Sequence, residues 1–596
     1  MKASGLQAIA RRMAPFLLLA GLFVGALYLA SSARLEPADY TFNNSTEVAT
    51  LDPARVTGVP EGRIIKALFE GLVVKHPRTL KPMPGMAESW SVSEDLLTYT
   101  FYIRKDAKWT NGEPVTAHDF VYSWKRFLKA QTAAEYAYQL WYVQGAEAYT
   151  KENDENGEPL NSFDTVGIKA NGDYILKVKL KSPTPFFMDL MAFYPMFPVN
   201  KTNIEEAMAR WPDNNEWEMQ WLRPENLVTN GPFTVEYRRV NDRIRLKKNP
   251  DYWDADNVAM NTIDALTIEQ AGTALNTYLT GSTHMIPSVL PNLIPKLMPR
   301  EDFEPVAYLG TYFYRVNTTK PPFDDVRVRK ALAITVNRKD IVEKITKAGQ
   351  VPAYGLVPPG MTGYVPAEFA ALDPTAAKIK ARELLAEAGY GSGGKPFPVM
   401  EVHYNTSEAH RDIAEVVAQT WRDQLGIDAK LQNQEWKVYL DTQNNLGFDV
   451  SRSAWIGDYP DPNTFLDMFV TGGENNKTGW GNAEYDRLIT ASASEADPTA
   501  RLAILKDAEA ILMDEMPIIP IYFYVTQNMV APRLGGFYGN IQDEHFPKFL
   551  YWMNDEELAA KRADQPGAWE IVDDVGPSEG LYAPAWTGPV PSPSNN

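Results

Sequence analysis

The sequence predicts an α/β fold that is divided into two or three domains. The chain has 596 residues and 44% hydrophobic content, which is more than a single core usually holds. Beyond residue 40, predicted strands and helices alternate without a long apolar span. A predicted helix at 407–426 lies between two predicted strands, which indicates a βαβ crossover.

The amino terminus predicts export. A basic start precedes an uncharged apolar run at residues 13–33, which ends in Ser31-Ser32-Ala33. This pattern is typical of a secretory signal, but the run is also long enough for a membrane anchor. Residues 1–33 are therefore expected to be a cleaved signal peptide or a retained anchor. The sequence has no cysteine, so we expect neither disulfides nor a lipoprotein.

The first half of the chain contains clear local signals. Residues 98–104 alternate between apolar and polar positions and predict a strand. Thr116 and Asp119 form a capping pair that predicts a helix from Ala117. Residues 165–180 predict two strands around an Asn-Gly turn at 171–172.

The second half contains the predicted crossover. A helix is expected from the Asp373-Pro374 start to Gly389, because proline favours the first helical position and glycine the end. A strand at 397–404, the helix at 407–426 and a strand at 427–436 follow. From residue 556 to 596 the chain is acidic and rich in proline and glycine, which predicts a disordered tail.

Catalytic motifs are missing or incomplete. The net charge of −18 argues against nucleic acid as a partner. Gly389, Gly394 and Lys395 have phosphate-loop spacing, but proline follows the lysine, and the loop joins a helix to a strand instead of a strand to a helix. The six histidines have no metal-ligand spacing, and no Gly-x-Ser-x-Gly elbow exists. We therefore expect a binding protein that is not an enzyme and has no metal or cofactor.

The stretch "SRSAWIGDYPDP" at 451–462 has an unusual composition. It is predicted as a strand from Val450 to Ile456, followed by a proline-fixed turn. Arg452, Trp455 and Asp458 lie within seven residues of each other. From residue types alone, this stretch is either an edge strand with a structural ion pair or part of a binding site.

Several longer segments resemble the extracytoplasmic solute-binding proteins of peptide ABC transporters, and the oligopeptide-binding type above all. The segments are "TLDPARVTGVPEGRIIKALFEGL" (50–72), "AKWTNGEPVTAHDFVYSWKR" (107–126), "TNGPFTVEY" (229–237), "NPDYW" (249–253), "PPFDDVRVRKALAITVNR" (321–338) and "NQEWKVYLDT" (433–442). The likeness extends over residues 40–553.

The resemblance implies a two-lobed, periplasmic-binding-protein-like architecture with an inserted domain and hinge closure around the ligand. The first lobe would combine 40–69, 201–309 and 526–555. The inserted domain would be 70–200, and the second lobe would be 310–525.

The resemblance also implies roles for individual residues. Asp458 would hold the α-ammonium of a peptide, and Arg452 the carboxylate end of a short peptide, because each buried charge needs a counter-charge. His410 would meet the carboxylate of a longer peptide. Side-chain pockets would be lined by Trp455, Trp436 and Tyr136, and main-chain groups would come from Ala454, Ile456, Thr57, Gly58 and Val59.

Alternatives and departures remain. From residue type alone, Tyr136 and Trp436 also fit ordinary core aromatics, and His410 also fits a solvated residue in the first turn of a helix. The family has a glutamate where this chain has Thr57, so a preference for cationic side chains does not carry over. Relatives have a cysteine pair at the positions of Gly310 and Ile456, and residues 283–291 do not match the family.

The resemblance implies a function as the substrate-binding component of an ABC importer. The expected partners are short peptides, bound with low sequence preference, and membrane permease subunits, and the expected site of action is the periplasm or the outer face of the inner membrane. A monomer is expected. Three alternatives remain: a receptor for a murein or signalling peptide, a membrane-anchored scaffold or chaperone, and an exported peptidase, which the missing catalytic groups disfavour.

Overall fold

The computed structural model describes residues 36–563, apart from Glu304, Thr362, Ser392 and Ala496. The predicted signal or anchor at 1–33 lies outside the described residues. The chain divides after Asp39, and the fold below is that of the unit that begins at Tyr40. Within the described part, none of the helices is both long and apolar enough to cross a membrane.

The secondary structure alternates along the chain. The strands are β1 (Tyr40–Asn43), β2 (Val73–Lys75), β3 (Pro82–Pro84), β4 (Ala87–Val92), β5 (Thr98–Ile103), β6 (Ile168–Ala170), β7 (Ile175–Lys179), β8 (Phe233–Arg239), β9 (Arg243–Lys248), β10 (Thr262–Leu266), β11 (Met285–Ile286), β12 (Ala307–Val316), β13 (Val351–Pro352), β14 (Met400–Asn405), β15 (Ala429–Gln434), β16 (Val450–Ile456), β17 (Ile518–Val525), β18 (Met529–Val530), β19 (Leu534–Gly535) and β20 (Tyr551–Trp552). The helices are α1 (Val59–Leu68), α2 (Ala117–Leu128), α3 (Ala146–Lys151), α4 (Phe187–Met191), α5 (Lys201–Arg210), α6 (Trp217–Gln220), α7 (Ala271–Leu279), α8 (Ile294–Leu297), α9 (Val326–Thr335), α10 (Arg338–Asp340), α11 (Pro374–Glu387), α12 (Glu408–Leu425), α13 (Trp436–Asn444), α14 (Asn463–Leu466), α15 (Ala483–Ser492), α16 (Pro498–Glu515) and α17 (Asp555–Ala563).

Three larger sheets organise these elements. One six-stranded sheet has the order β18-β11-β1-β10-β9-β8, a second has the order β13-β17-β12-β16-β14-β15, and a four-stranded sheet has the order β4-β5-β7-β6. Two six-stranded sheets agree with the predicted two-lobed architecture, and all strands of the second sheet lie within 307–525. The four-stranded sheet takes its strands from within 70–200, the predicted inserted segment. The exact domain boundaries stay a prediction.

The local signals are confirmed where they depend on short-range chemistry. Thr116 and Asp119 form a reciprocal capping box at the start of α2. β6 and β7 pair as the antiparallel hairpin expected around residues 171–172. β14 and β15 pair in parallel on either side of α12, which is the predicted crossover.

The predicted boundary of the tail needs one correction. Residues 556–563 are helical, as part of α17, where disorder was expected. Acidic residues in the first turn favour the helix dipole, Leu558 is 7% exposed, and Lys561 Nζ donates to the carbonyl of Pro532 at 3.2 Å. The charge effect is local to the helix, whereas the contact with Pro532 comes from a segment 29 residues earlier in the chain. The rest of the tail lies outside the described residues.

Candidate functional site

A cavity of about 490 Å³ brings the predicted site residues together. This volume is in the range of small-molecule and peptide pockets. All the predicted residues line it: Thr57, Gly58, Val59, Tyr136, His410, Trp436, Arg452, Ala454, Trp455, Ile456 and Asp458. The geometry supports their selection, whereas the role of each residue remains a proposal.

The central element of the cavity is the strand β16. It pairs along its whole length with β12, from Val450 to Ile456, but it pairs with β14 only at Val450 and Ser451. Beyond that point one edge of β16 is open. The Gly457 N–H donates to the Leu309 carbonyl on the β12 side, so by strand alternation the N–H and C=O groups of Ala454 and Ile456 point away from β12, along the open edge.

Asp458 lies at one end of this edge with a carboxylate that has no cationic partner in the described structure. The residue is 9% exposed, and its Oδ2 accepts only from Thr464 Oγ1, at 3.4 Å. Lys75 Nζ donates instead to the main-chain carbonyl of Asp458 and to Gln542 Oε1, both at 2.9 Å. Burial raises the pKa of the Asp458 carboxyl to about 8, although Lys75 and Thr464 lower it in part.

Arg452 lies towards the other end of the edge and has only neutral partners. Its Nη1 donates to Asn405 Oδ1 at 3.1 Å and its Nη2 to Tyr524 OH at 2.7 Å. The guanidinium lies 4.7 Å from the centre of the Tyr312 ring. Within the described part of the chain, Arg452 forms no ion pair with Asp458 or any other acid. The alternative of a structural ion pair inside the stretch 451–462 is therefore wrong.

His410 lies in the first turn of α12 and borders the cavity beside Arg452. Burial and the neighbouring guanidinium hold its pKa well below the usual value for histidine. The ring is therefore neutral near pH 7, and its buried Nδ1 has no hydrogen-bond partner in the described part of the chain. A neutral imidazole in this position can still donate a hydrogen bond to a carboxylate.

The aromatic residues form two walls. Tyr136 is 4% exposed, lies edge-on to Phe193 and has its ring centre 6.0 Å from that of Trp455. Trp436 stacks on Tyr439 at 5.6 Å with its indole beside the Glu61 carboxyl group, and the indole N–H of Trp455 is buried without a hydrogen-bond partner among the described residues. Tyr136 and Trp455 also belong to a hydrophobic core. Tyr136 is therefore both a core aromatic and a lining residue of the cavity.

The segment Thr57-Gly58-Val59 lines the cavity beside Trp436, at the point where the chain enters α1. Gly58 has extended backbone and precedes the first turn of the helix. A side chain at Gly58 would collide with Glu61 and Trp436, so glycine keeps this backbone accessible. In the β12–β16 ladder, Gly310 and Ile456 are directly opposite each other, as the implied cysteine pair requires.

Sequence reasoning missed other lining residues. Arg315, Glu135 and Lys477 border the cavity, and so do Met285 and Ser288 from the unmatched segment 283–291. A charged residue inside the apolar strand "YLGTYFYRV" was a signal for Arg315. Among the described residues, no cluster of three or more histidine, aspartate or glutamate side chains is arranged to hold a metal ion.

Comparison with known proteins shows which family the chain resembles. The model of the bacterial extracellular solute-binding proteins, family 5 Middle, matches residues 81–477. The periplasmic oligopeptide-binding protein OppA of Salmonella typhimurium is 37% identical over 516 residues, which cover 85% of this chain and 91% of that protein.

Solved structures of similar proteins align with most of this chain. OppA of Haemophilus influenzae in complex with the peptide RPPGFSPFR aligns with a TM-score of 0.80 at 32% identity, over 87% of this chain and 100% of that one. The murein tripeptide-binding protein MppA of Escherichia coli also gives 0.80, at 35% identity, over 87% and 99% of the two chains. The unliganded open form of MppA gives 0.58, at 34% identity over 88% and 99%. The chain therefore belongs to the bacterial extracellular solute-binding proteins of family 5.

Proposed function

We infer that this protein is the substrate-binding component of an ABC importer, which captures short peptides outside the cytoplasm and delivers them to a membrane permease. The observation that carries this proposal is a pair of buried ionisable groups, Arg452 on β16 and Asp458 just beyond its end, that have no charged partner among the described residues. Asp458 offers a carboxylate and Arg452 a guanidinium, and neither has a charged partner among the described residues. A zwitterionic peptide supplies both counter-charges at once.

The open edge of β16 lies between these two charges. An extended ligand can pair with the main-chain groups of Ala454 and Ile456, which gives affinity without reading side chains. Trp455, Trp436 and Tyr136 would then border the side chains of the ligand. With a cavity of about 490 Å³, peptides of roughly two to five residues are the expected ligands.

Hinge closure of the two lobes would bury the ligand. The alignments with the two forms of MppA support this motion, because identity and coverage are nearly equal and the TM-score differs. The proposed moving parts are the two lobes expected from the sequence. The first lobe consists of 40–69, 201–309 and 526–555, and the second consists of 310–525. The relatives that are named periplasmic support the same location for this chain.

A narrower receptor is the second candidate function, and the alignment with a murein tripeptide-binding protein favours it. Native mass spectrometry of the protein, purified without denaturation, distinguishes the two. A ladder of short-peptide masses supports a broad receptor, and one discrete mass supports a narrow one. A cleft that carries no ligand, together with no heat of binding for any short peptide, would contradict both.

A further inference from the structure

Arg315 is a second buried cation in the cavity, and its position is unusual. The residue lies on β12, is 4% exposed and lines the same cavity as Asp458 and Arg452. Its Nε donates to Ser453 Oγ at 3.1 Å and its Nη1 to the carbonyl of Asn475 at 2.9 Å. Nη2 has no such protein acceptor within the described residues and remains available to a ligand.

The nearest acid does not neutralise this guanidinium by direct contact. Glu135 Oε2 forms an ion pair with Lys477 at 3.0 Å, and its Oε1 accepts from Asn444 at 3.2 Å. Each carboxylate oxygen of Glu135 is bonded to another residue, and among the described contacts neither is bonded to Arg315. Burial lowers the pKa of Arg315 to about 10, even though Glu135 and nearby tyrosines raise it. The guanidinium is still charged near pH 7.

A purely structural arginine looks different in this fold. Arg338 is also fully buried, but its Nε and Nη1 donate to the carbonyls of four residues: Ala333, Val336, Ala353 and Pro520. The Nη2 of Arg338 also has no partner among the described residues, but Arg338 does not border the cavity, so no ligand in the cavity is placed to reach it. Arg315 donates to only one carbonyl, that of Asn475, and to the hydroxyl of Ser453, and it lines the cavity.

The charge balance of the cavity indicates what Arg315 lacks. Among the described lining residues that are buried, Arg315 and Arg452 are cations without an ion pair, and Asp458 is an acid without one, whose carboxylate form an incoming ammonium would stabilise. Arg63 and Glu269 are less buried, also line the cavity without an ion pair, and offset each other in charge. A peptide with neutral side chains brings one ammonium and one carboxylate. It would match Asp458 and Arg452 and leave Arg315 without a counter-charge, so a ligand with one more carboxylate fits better.

The two arginines lie on opposite faces of the same ladder. Tyr314 is opposite Arg452 and Arg315 is opposite Ser451, so their side chains alternate across the sheet. A ligand that extends along the open edge also points successive side chains to opposite faces. We propose that Arg315 forms a subsite for an acidic side chain of the bound peptide, on the face that also carries Trp455. This inference rests on the proposed function.

Calorimetry on the full-length protein with alanine tripeptides tests the subsite. Glutamate or its uncharged counterpart glutamine is placed at each position in turn. The ratio of the two affinities is then compared between the wild type, Arg315→Met and Arg452→Met. At one position the wild type should prefer glutamate by roughly tenfold to a hundredfold. Arg315→Met should bring the ratio near one, whereas Arg452→Met should weaken both peptides and keep the ratio.

The ratio is measured within each variant, so a loss of folded protein does not change it. If Arg315→Met does not fold, Arg315→Lys should lower the ratio without abolishing it, because lysine keeps the charge but not the planar fork. A ratio near one at every position of the wild type overturns the subsite, while binding of the alanine peptides still supports the receptor. The same ratios are also measured with peptides whose carboxyl terminus is amidated. If the difference in this ratio between the wild type and Arg315→Met disappears with the amidated peptides, Arg315 binds the terminal carboxylate and the side-chain subsite is wrong. If no tripeptide binds, the proposed function fails as well.

Discussion

Replacing Asp458 by asparagine should remove the recognition of the peptide ammonium. The carboxylate is buried, and Thr464 is the only side chain in the described structure that bonds to it. An ammonium in contact with it would be an almost fully desolvated pair. Truncating one member of such a pair typically costs about 2–5 kcal/mol, or roughly thirtyfold to several thousandfold in affinity. Asparagine keeps the size of the side chain, so the packing against the turn at 459–462 is preserved.

A thermodynamic cycle isolates this interaction from general damage. Affinities of a free and an amino-terminally acetylated tripeptide are measured by calorimetry for the wild type and Asp458→Asn. Acetylation should weaken binding strongly in the wild type and only slightly in the variant, which gives a coupling energy of about 2 kcal/mol or more. A coupling energy near zero would refute the assignment of Asp458.

The same pair predicts a pH profile. Because the pKa of the free Asp458 carboxyl is about 8, it is mostly protonated at pH 7, and binding of an ammonium releases that proton. Affinity should therefore rise by roughly tenfold per pH unit between about pH 5 and 7. It should fall again above about pH 8, where the peptide amine loses its own proton. A flat profile in the wild type, or the same slope in Asp458→Asn, would contradict the mechanism.

Three other expectations can be checked independently. If Arg452 and His410 serve peptides of different length, Arg452→Ala should weaken tripeptides more than tetrapeptides by roughly tenfold, and His410→Ala should do the reverse; equal losses in calorimetry would exclude this division. Deleting 564–596 should leave peptide affinity unchanged within about tenfold, or 1.4 kcal/mol, whereas a larger loss would show that this segment contributes to binding. A methyl group at Gly310 would collide with Ile456 Cδ1, so Gly310→Ala should lower the melting temperature, and adding Ile456→Ala should recover part of the loss; additive losses would show that the two sites are not coupled.

The elements that the sequence predicted well depend on nearby residues. The capping box at Thr116 and the crossover around α12 follow from patterns of at most forty residues. The helix at 555–563 was missed because part of its stabilisation comes from Pro532, on a different segment. A nine-residue polar helix has little intrinsic stability, so composition alone favoured disorder.

The candidate site divides in the same way. The resemblance selected eleven residues from distant parts of the chain, and the fold brings all of them to one cavity. The role of Arg315 could not be predicted from neighbouring sequence, because it depends on whether an acidic side chain pairs with its guanidinium in the folded protein. Glu135 is about 180 residues away in sequence, and its carboxylate is already bonded to Lys477 and Asn444. Only the folded chain shows that this guanidinium has no direct counter-ion among the described residues.

The open edge of β16 also bears on aggregation. An exposed strand edge is a general hazard, because it pairs with any extended chain, including a copy of itself. Here β14 stops pairing after Ser451, and the freed groups line a recess instead of the outer surface. Only a chain small enough to enter the recess can reach them. The hydrogen bonds that allow other proteins to polymerise through their strand edges are thereby restricted to short ligands. Amide hydrogen exchange at Ala454 and Ile456 should slow when a bound peptide pairs with this edge.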